Sequence, residues 1–318
     1  MKKAFKNILI IAELVIIVFL SVAVVFFYRK SNQAVQTSAS VDTYNENISE
    51  SNLEDIEDRV SENYYNLSGK KILLEDGTYG EIWIPVLESV PAFSKEIEQI
   101  KSRNGRKYYV ENSDITSLLG VDVSVHQNEI DWAKVKESGI DFAMVRLGYR
   151  GYGTGEPGLD ENYVQNITGA REAGLDAGVY FFSQAITAEE AVEEANLVIE
   201  SLEGLDVNYP VVFDWEIISG DTARTDNVSV DILTDCCVAF CETIKSAGYT
   251  PMIYQNKRTS IFKLDLNRLN DYDFWLAEYN DEPSYYYDFD MWQYTSSGNV
   301  PGIEGNVDLN ISFKDYAE

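Results

Sequence analysis

From Leu118 onward, short apolar runs return at intervals too long for hairpins, separated by segments with helical spacing. This alternation is the strongest constraint on the fold. Parallel strands need crossovers of a dozen residues or more, usually helices. Eight runs read as strands: Leu119–Val123, Phe142–Leu147, Ala177–Ser183, Val211–Glu216, Pro251–Tyr254, Phe274–Glu278, Met291–Tyr294 and Val307–Ile311. Helical patterns fill the early gaps at Trp132–Ser138, Tyr163–Ala173, Ala188–Leu202 and Val230–Ala247, two of them closed by Ala-Gly exits. The last three connections are too short for full helices. The expectation is an α/β protein whose core is a modified TIM-type barrel. No repeat of fixed period occurs, which argues against a solenoid.

The amino end is built differently. Lys2, Lys3 and Lys6 precede Ile8–Phe27, an apolar run broken only by Glu13 and Ser21. As a helix it spans about 30 Å, the thickness of a bilayer's hydrocarbon, and Glu13 lies near enough to one end to reach the interface. A cleaved signal peptide is the rival reading, since Ser21-Val22-Ala23 has the small-x-small form. The run continues to Phe27 and then meets Arg29-Lys30, which suits an uncleaved anchor. The basic residues weakly favour an inside amino terminus.

Residues 31–52, rich in Ser, Asn, Gln and acids, read as a disordered stalk. In the mixed region up to Ser113, strands are expected at Tyr79–Leu87 and Lys107–Val110, and a short helix at Glu96–Ser102. The expected organisation is thus 1–30 as a cytoplasmic tail and transmembrane signal anchor, 31–115 as a stalk and small preface region of unknown fold, and 116–318 as the barrel. The body would lie outside the cell membrane, anchored by a single pass.

A net charge of −28 argues against nucleic acid as a partner and otherwise selects no substrate. Cys236, Cys237 and Cys241 fall in one helical pattern, so they make no disulfide framework and read as small core residues.

The stretch Val211-Val-Phe-Asp-Trp-Glu216 looks like a strand buried on both faces, yet it carries two acids. Alternation aims Asp214 and Glu216 the same way, about 7 Å apart along the strand. Asp122 ends the first strand and Asp308 lies in the last, so four carboxylates on three strands converge on one mouth. The bland alternative is a polar strand exit. Two carboxyls in unlike environments separate in pKa, so that one holds a proton while the other stays charged. That is the equipment for breaking a glycosidic bond.

Other chemistries lack parts. His126 is the only histidine, Ser124 sits two residues from it, and no nucleophile elbow occurs. A histidine-rich metal pattern is impossible and an all-oxygen calcium site is open but unmotivated, while Gly148–Gly155 lacks both dinucleotide and Walker order, reading better as a loop over the mouth. Tyr149, Tyr180, Tyr254, Trp275 and Tyr294 lie at or just beyond strand ends, where aromatic faces pack on sugar rings.

Five stretches, in order, resemble glycoside hydrolase family 25, the lysozymes that cleave peptidoglycan. They are "GVDVSVHQNEIDWAKVKESGIDFAMVRLGYR", "AREAGLDAGVYFFSQAITAEEAVEEA", "YPVVFDWE", "FWLAEYN" and "MWQYTSSGNVPGIEGNVDLN", within Leu118–Phe313. The resemblance implies a barrel of eight strands and about five helices, N-acetylmuramoyl hydrolase activity on peptidoglycan glycan strands, and no cofactor. Position by position, Glu216 resembles the general acid/base, and Asp214 the residue steadying the 2-acetamido group or a charged intermediate. Asp122 and Asp308 match the remaining family carboxylates. Tyr180, with Trp292 or Gln293, falls in motifs near the groove, and Tyr254 and Trp275 join them as candidate substrate-binding residues. Either an oxazolinium or an enzyme ester is compatible with this pattern.

Two other readings stand beside it. One is a chitinase-like or glucosaminidase hydrolase, whose usual acidic run is replaced here by Val212 and Tyr209. The other is a non-catalytic or weakly catalytic glycan-binding component of a cell-wall-spanning machine. The residues name no protein partner.

Overall fold

The computed structural model of the chain describes residues 70–76 and 80–317. The apolar run Ile8–Phe27 and the expected stalk lie outside the described residues. Among those described, no helix is long and apolar enough to cross a membrane.

Two small sheets come first. Strands β1 (Lys71–Asp76) and β2 (Gly80–Pro85) pair antiparallel, and β3 (Ile100–Arg103), β4 (Arg106–Glu111) and β5 (Asp114–Ile115) form a meander. The strands expected at Tyr79–Leu87 and Lys107–Val110 correspond to β2 and β4. The helix expected at Glu96–Ser102 does not form. One 3-10 turn at Ile97–Gln99 leads straight into β3, because Lys101 and Ser102 pair with Tyr108 and Lys107 of β4. Asn104 and Gly105, at φ 54° and 77°, form the two-residue turn that twists with its strands.

The rest of the chain forms β6 (Leu118–Val123), α1 (Trp132–Glu137), β7 (Phe142–Arg150), β8 (Pro157–Leu159), α2 (Tyr163–Glu172), β9 (Asp176–Ser183) and α3 (Ala188–Ser201). Next come β10 (Val211–Trp215), α4 (Val230–Ser246), β11 (Pro251–Asn256), α5 (Lys257–Lys263), β12 (Asp273–Ala277), β13 (Met291–Gly298) and β14 (Val307–Ser312). All eight expected strands are present. The fifth helix, α5, sits in a connection judged too short for one. It starts where the Asn256 side chain accepts from the Thr259 amide.

Strands β6, β7, β9, β10, β11, β12, β13 and β14 close on one another, with β14 returning to β6. From β6 to β13 the neighbours are parallel. The last strand, β14, runs antiparallel to both β13 and β6. The carboxyl ends of the other strands and the amino end of β14 therefore share one mouth.

Alternation along the strands separates lumen from wall. Phe142, Met144, Val212, Met252, Tyr254, Trp275, Ala277 and Met291 form one cluster inside the barrel. The Phe, Met and Val side chains among them each contribute about 1.5–3 kcal/mol by leaving water. Gly120 lets β6 approach that cluster, since a Cβ there would lie 2.2 Å from the Phe142 ring. On the outer wall, Phe213 packs on Phe240 of α4 with ring centroids 5.3 Å apart. Cys236, Cys237 and Cys241 are buried in the same helix.

The preface is tied to the barrel. Phe93 stacks on Phe289 at 4.1 Å, Tyr109 meets Phe313 edge-on at 5.5 Å, and the Tyr287 hydroxyl accepts from the Leu87 amide at 3.0 Å.

Candidate active site

All five residues of β10 are buried, so both of its faces are covered, as its sequence suggested. Phe213 points to the wall and Asp214 to the lumen, and Glu216 continues that inner row just past the strand. Asp122 takes the inner position at the mouth end of β6. Asp308, second in β14, is brought to the same level by the reversal of its strand and pairs with Asp122 in register. Opposite residues in such a pair have Cβ atoms about 5 Å apart.

The surroundings of these acids differ. Asp122 is 6% exposed, and its Oδ2 accepts from Gln293 Nε2 at 2.9 Å and from Asn310 Nδ2 at 2.8 Å. Each amide is itself oriented. The Trp275 indole, which can only donate, gives its Nε1–H to Asn310 Oδ1 at 2.9 Å. Gln293 Oε1 accepts from the hydroxyls of Tyr254 and Tyr279 at 2.9 and 2.8 Å. Three aromatic side chains thus fix the two amides whose N–H donors meet on one carboxylate oxygen. Asp214 is 4% exposed, and its Oδ1 has no hydrogen-bond partner among the described residues. Glu216 and Asp308 are half-buried.

These positions move all four carboxyls upward. Burial and the Asp308 charge push Asp122 to about 8, against the pull of its two amide donors. Burial, then Glu216 and Asp122, raises Asp214 well above the ordinary range, with Arg146 opposing. Glu216 is raised by burial and by Asp308, and burial lifts Asp308 to about 6. The cluster titrates as a set and carries protons at neutral pH. A proton donor and carboxylate neighbours in one mouth can protonate a leaving oxygen and stabilise positive charge developing beside it.

The aromatic residues divide. Tyr180 and Tyr254 meet Trp275 edge-on at 6.3 and 4.9 Å, forming a floor in the lumen. Trp275 is only 2% exposed, so it supports the site from beneath. Gln293 joins the cluster. Trp292, next to it on β13, points the other way, and its indole donates to the Glu278 carbonyl at 2.8 Å. Tyr294 follows Trp292 on the wall, packing its ring at 5.6 Å.

His126 is exposed on a rim turn, and Ser124 Oγ accepts from the His126 backbone amide in a capping box. No Ser-His couple is formed. The Gly-rich stretch turns β7 back into β8 beside the mouth. Arg150 pins it, donating to Glu194 at 2.6 Å, Glu193 at 2.7 Å and the Gly155 carbonyl at 2.6 Å. This hairpin borders a groove of about 680 Å³ that includes Arg146, Tyr149, Tyr152 and Phe182.

A sequence profile for glycosyl hydrolases family 25 matches residues 121–303, more than half of the chain. The chain belongs to glycosyl hydrolases family 25. The autolytic lysozyme of Clostridium acetobutylicum is 27% identical over 195 residues, covering 61% of this chain and 55% of that protein. The chain therefore spans little more than half the length of that relative. Lysozyme M1 of Streptomyces globisporus is 25% identical over 211 residues, covering 62% of this chain and 68% of that one. In fold, the chain is similar to the modular autolysin LytC of Streptococcus pneumoniae. The TM-score is 0.54 at 24% identity, covering 77% of this chain and 57% of LytC.

Within the family barrel, sequence reasoning missed Asn310, Tyr279 and Arg146. Asn310 is two residues from Asp308, and alternation alone would have put both on the inner face. Arg146 shares the inner row of Phe142 and Met144, and its guanidinium is held by Asp160, with Nε 2.9 Å from Oδ2. Tyr279 lies beyond β12, where no periodicity predicts its reach to Gln293.

Proposed function

We propose that the chain is a muramidase that hydrolyses the β-1,4 bond between N-acetylmuramic acid and N-acetylglucosamine in peptidoglycan glycan strands. The observation that carries this reading is the meeting of Asp122, Asp214, Glu216 and Asp308 at one mouth of a family-25 barrel. The naming of the clostridial relative as an autolytic lysozyme supports it, as does the determination of LytC with a synthetic peptidoglycan ligand.

In this mechanism Glu216, raised by burial and open to the mouth, protonates the glycosidic oxygen and then takes a proton from water. Asp214 is buried beside it and steadies the acetamido group or the positive charge that develops at the sugar. Asp308, with burial, sets the electrostatic level at which Glu216 keeps its proton, while Asp122 is held beside it by Gln293 and Asn310. Tyr180 and Tyr254 supply apolar faces beneath the sugars.

We further propose that the enzyme is tethered. Ile8–Phe27 would span the cell membrane once, with residues 31–115 as spacer and preface and 116–318 as the catalytic barrel outside the cell.

Digestion of purified peptidoglycan by the protein, with mass analysis of the products, tests the activity. New reducing ends of muramic acid support it. Glucosamine ends would indicate a glucosaminidase, and binding to sacculi without soluble fragments would indicate a glycan-binding component.

A further inference from the structure

The β3–β4 hairpin lies outside the residues matched to the family, yet it borders the mouth. Between the hairpin and the barrel edge runs a groove of about 780 Å³, within the roughly 300–1,000 Å³ span of small-molecule sites. Ser102, Asn104 and Lys107 form one wall, and Tyr279, Ser297 and Asn299 belong to the other.

Two features say what fits there. The first is continuity. Tyr279, 54% exposed, lines the groove while its hydroxyl donates to Gln293, which in turn donates to Asp122. One side chain thus belongs both to the groove and to the chain of hydrogen bonds that ends on a mouth carboxylate. The second is charge. The cations in the lining are engaged already: Lys107 bonds the Asp281 carbonyl at 2.5 Å and its carboxylate at 3.2 Å, and Arg106 bonds Ser138 Oγ at 3.2 Å. The rest of the lining is hydroxyl, amide, tyrosine ring and Leu309, with the Asp281 carboxylate paired to Lys107 as its one acid. This lining suits a neutral chain of hydroxyls and acetamides better than an anion.

We propose that this groove is an extended glycan subsite, in which the preface hairpin holds the sugar strand beyond the bond that is cut. The inference rests on the muramidase reading for its ligand, and it adds that the preface contributes to substrate binding.

The test is binding of peptide-free glycan strands of defined length to full-length Glu216→Gln protein, which holds sugar without cutting it. An octasaccharide should bind about tenfold more tightly than a tetrasaccharide, equivalent to about 1.4 kcal/mol. Ser102→Trp, which fills the groove from the hairpin, should abolish that gain and leave tetrasaccharide affinity unchanged. Ser297→Trp, filling it from the barrel, should do the same, and the unchanged tetrasaccharide affinity reports an intact fold in both. Equal affinity for the two lengths in the parent overturns the proposal, as does a length gain that survives both substitutions. An equal loss for both lengths overturns it too, because the hairpin then acts only on structure. If the Glu216-containing protein cuts glycan while strand length has no effect, the subsite fails and the muramidase reading stands. If length-dependent binding occurs without any cutting, the subsite stands and the muramidase reading fails.

Discussion

Asp122 offers a quantitative test of the site's electrostatics, because its two amide donors share a single oxygen. In Asp122→Asn the side-chain carbonyl can keep both the Gln293 and the Asn310 bonds, while the titrating group disappears. The unfolded carboxyl has a pKa of about 3.9, and the folded one is raised to about 8. Between those values the folded chain holds a proton that the unfolded chain has released. A raised carboxyl contributes stability that is complete below the unfolded value and is lost as pH rises through the folded one. The loss is about 1.4 kcal/mol per pH unit, or about 2.7 kcal/mol from pH 5 to pH 7. The parent should therefore lose stability over that range faster than Asp122→Asn, by about 1 M in urea midpoint for a slope of about 2–3 kcal/mol per molar. Asp122 also helps to raise Asp214, so the difference measures Asp122 together with its coupling to the other acids. Urea unfolding at pH 5, 6 and 7 measures it. Parallel decline of the two proteins would show that Asp122 ionises in the folded state much as it does in the unfolded one, and would refute the reasoning.

Glu216→Gln should leave the thermal midpoint near or above the parent's and lower turnover of peptidoglycan about 10²–10⁴-fold; parent-rate digestion would remove Glu216 from the mechanism. Asp308→Asn takes away a negative neighbour that raises Glu216, so Glu216 should lose its proton sooner and the alkaline limb of the activity profile should move to lower pH. An unmoved limb in a folded, active variant would separate Asp308 from the site. Asn310→Leu strips Asp122 of a donor and leaves the buried Trp275 N–H unpaired, for a loss of about 1–3 kcal/mol in urea unfolding; an unchanged midpoint would contradict the orientation network. For the tether, protease added to intact protoplasts should remove the body and leave a small membrane fragment. Protection of the body, or its full recovery in the medium, would refute the anchor.

The barrel was legible because its strands are short apolar runs and its longer helices carry a period near four, and both survive in a single sequence. Alternation along a strand reveals which acids share a face, and it resolves the pair Trp292 and Gln293, since neighbours on a strand must point apart. Helix α5 is too short for a period to show. Glu96–Ser102 misled for a different reason: its Glu, Gln, Ile and Lys residues suit a helix, but pairing with β4 overrides that local preference. The Asn104-Gly105 turn was the available signal for this hairpin. The contact of Tyr279 with Gln293 and the aromatic support beneath the mouth depend on how separate strands meet, which no local pattern records.

The reversed strand β14 has a consequence for how the protein comes into being. Asp122 stands on the first barrel strand and Asp308 on the last, and they meet only across the seam that closes the ring. A slip of one residue there would turn Val307 or Leu309 inward and Asp308 out. Contacts between segments so far apart in sequence are slow to form, because the intervening chain must be ordered first. During synthesis, a chain in which β14 has not yet joined β6 has no complete set of acids. A barrel built this way matures by closure, with β14 completing the set of acids as it docks on β6.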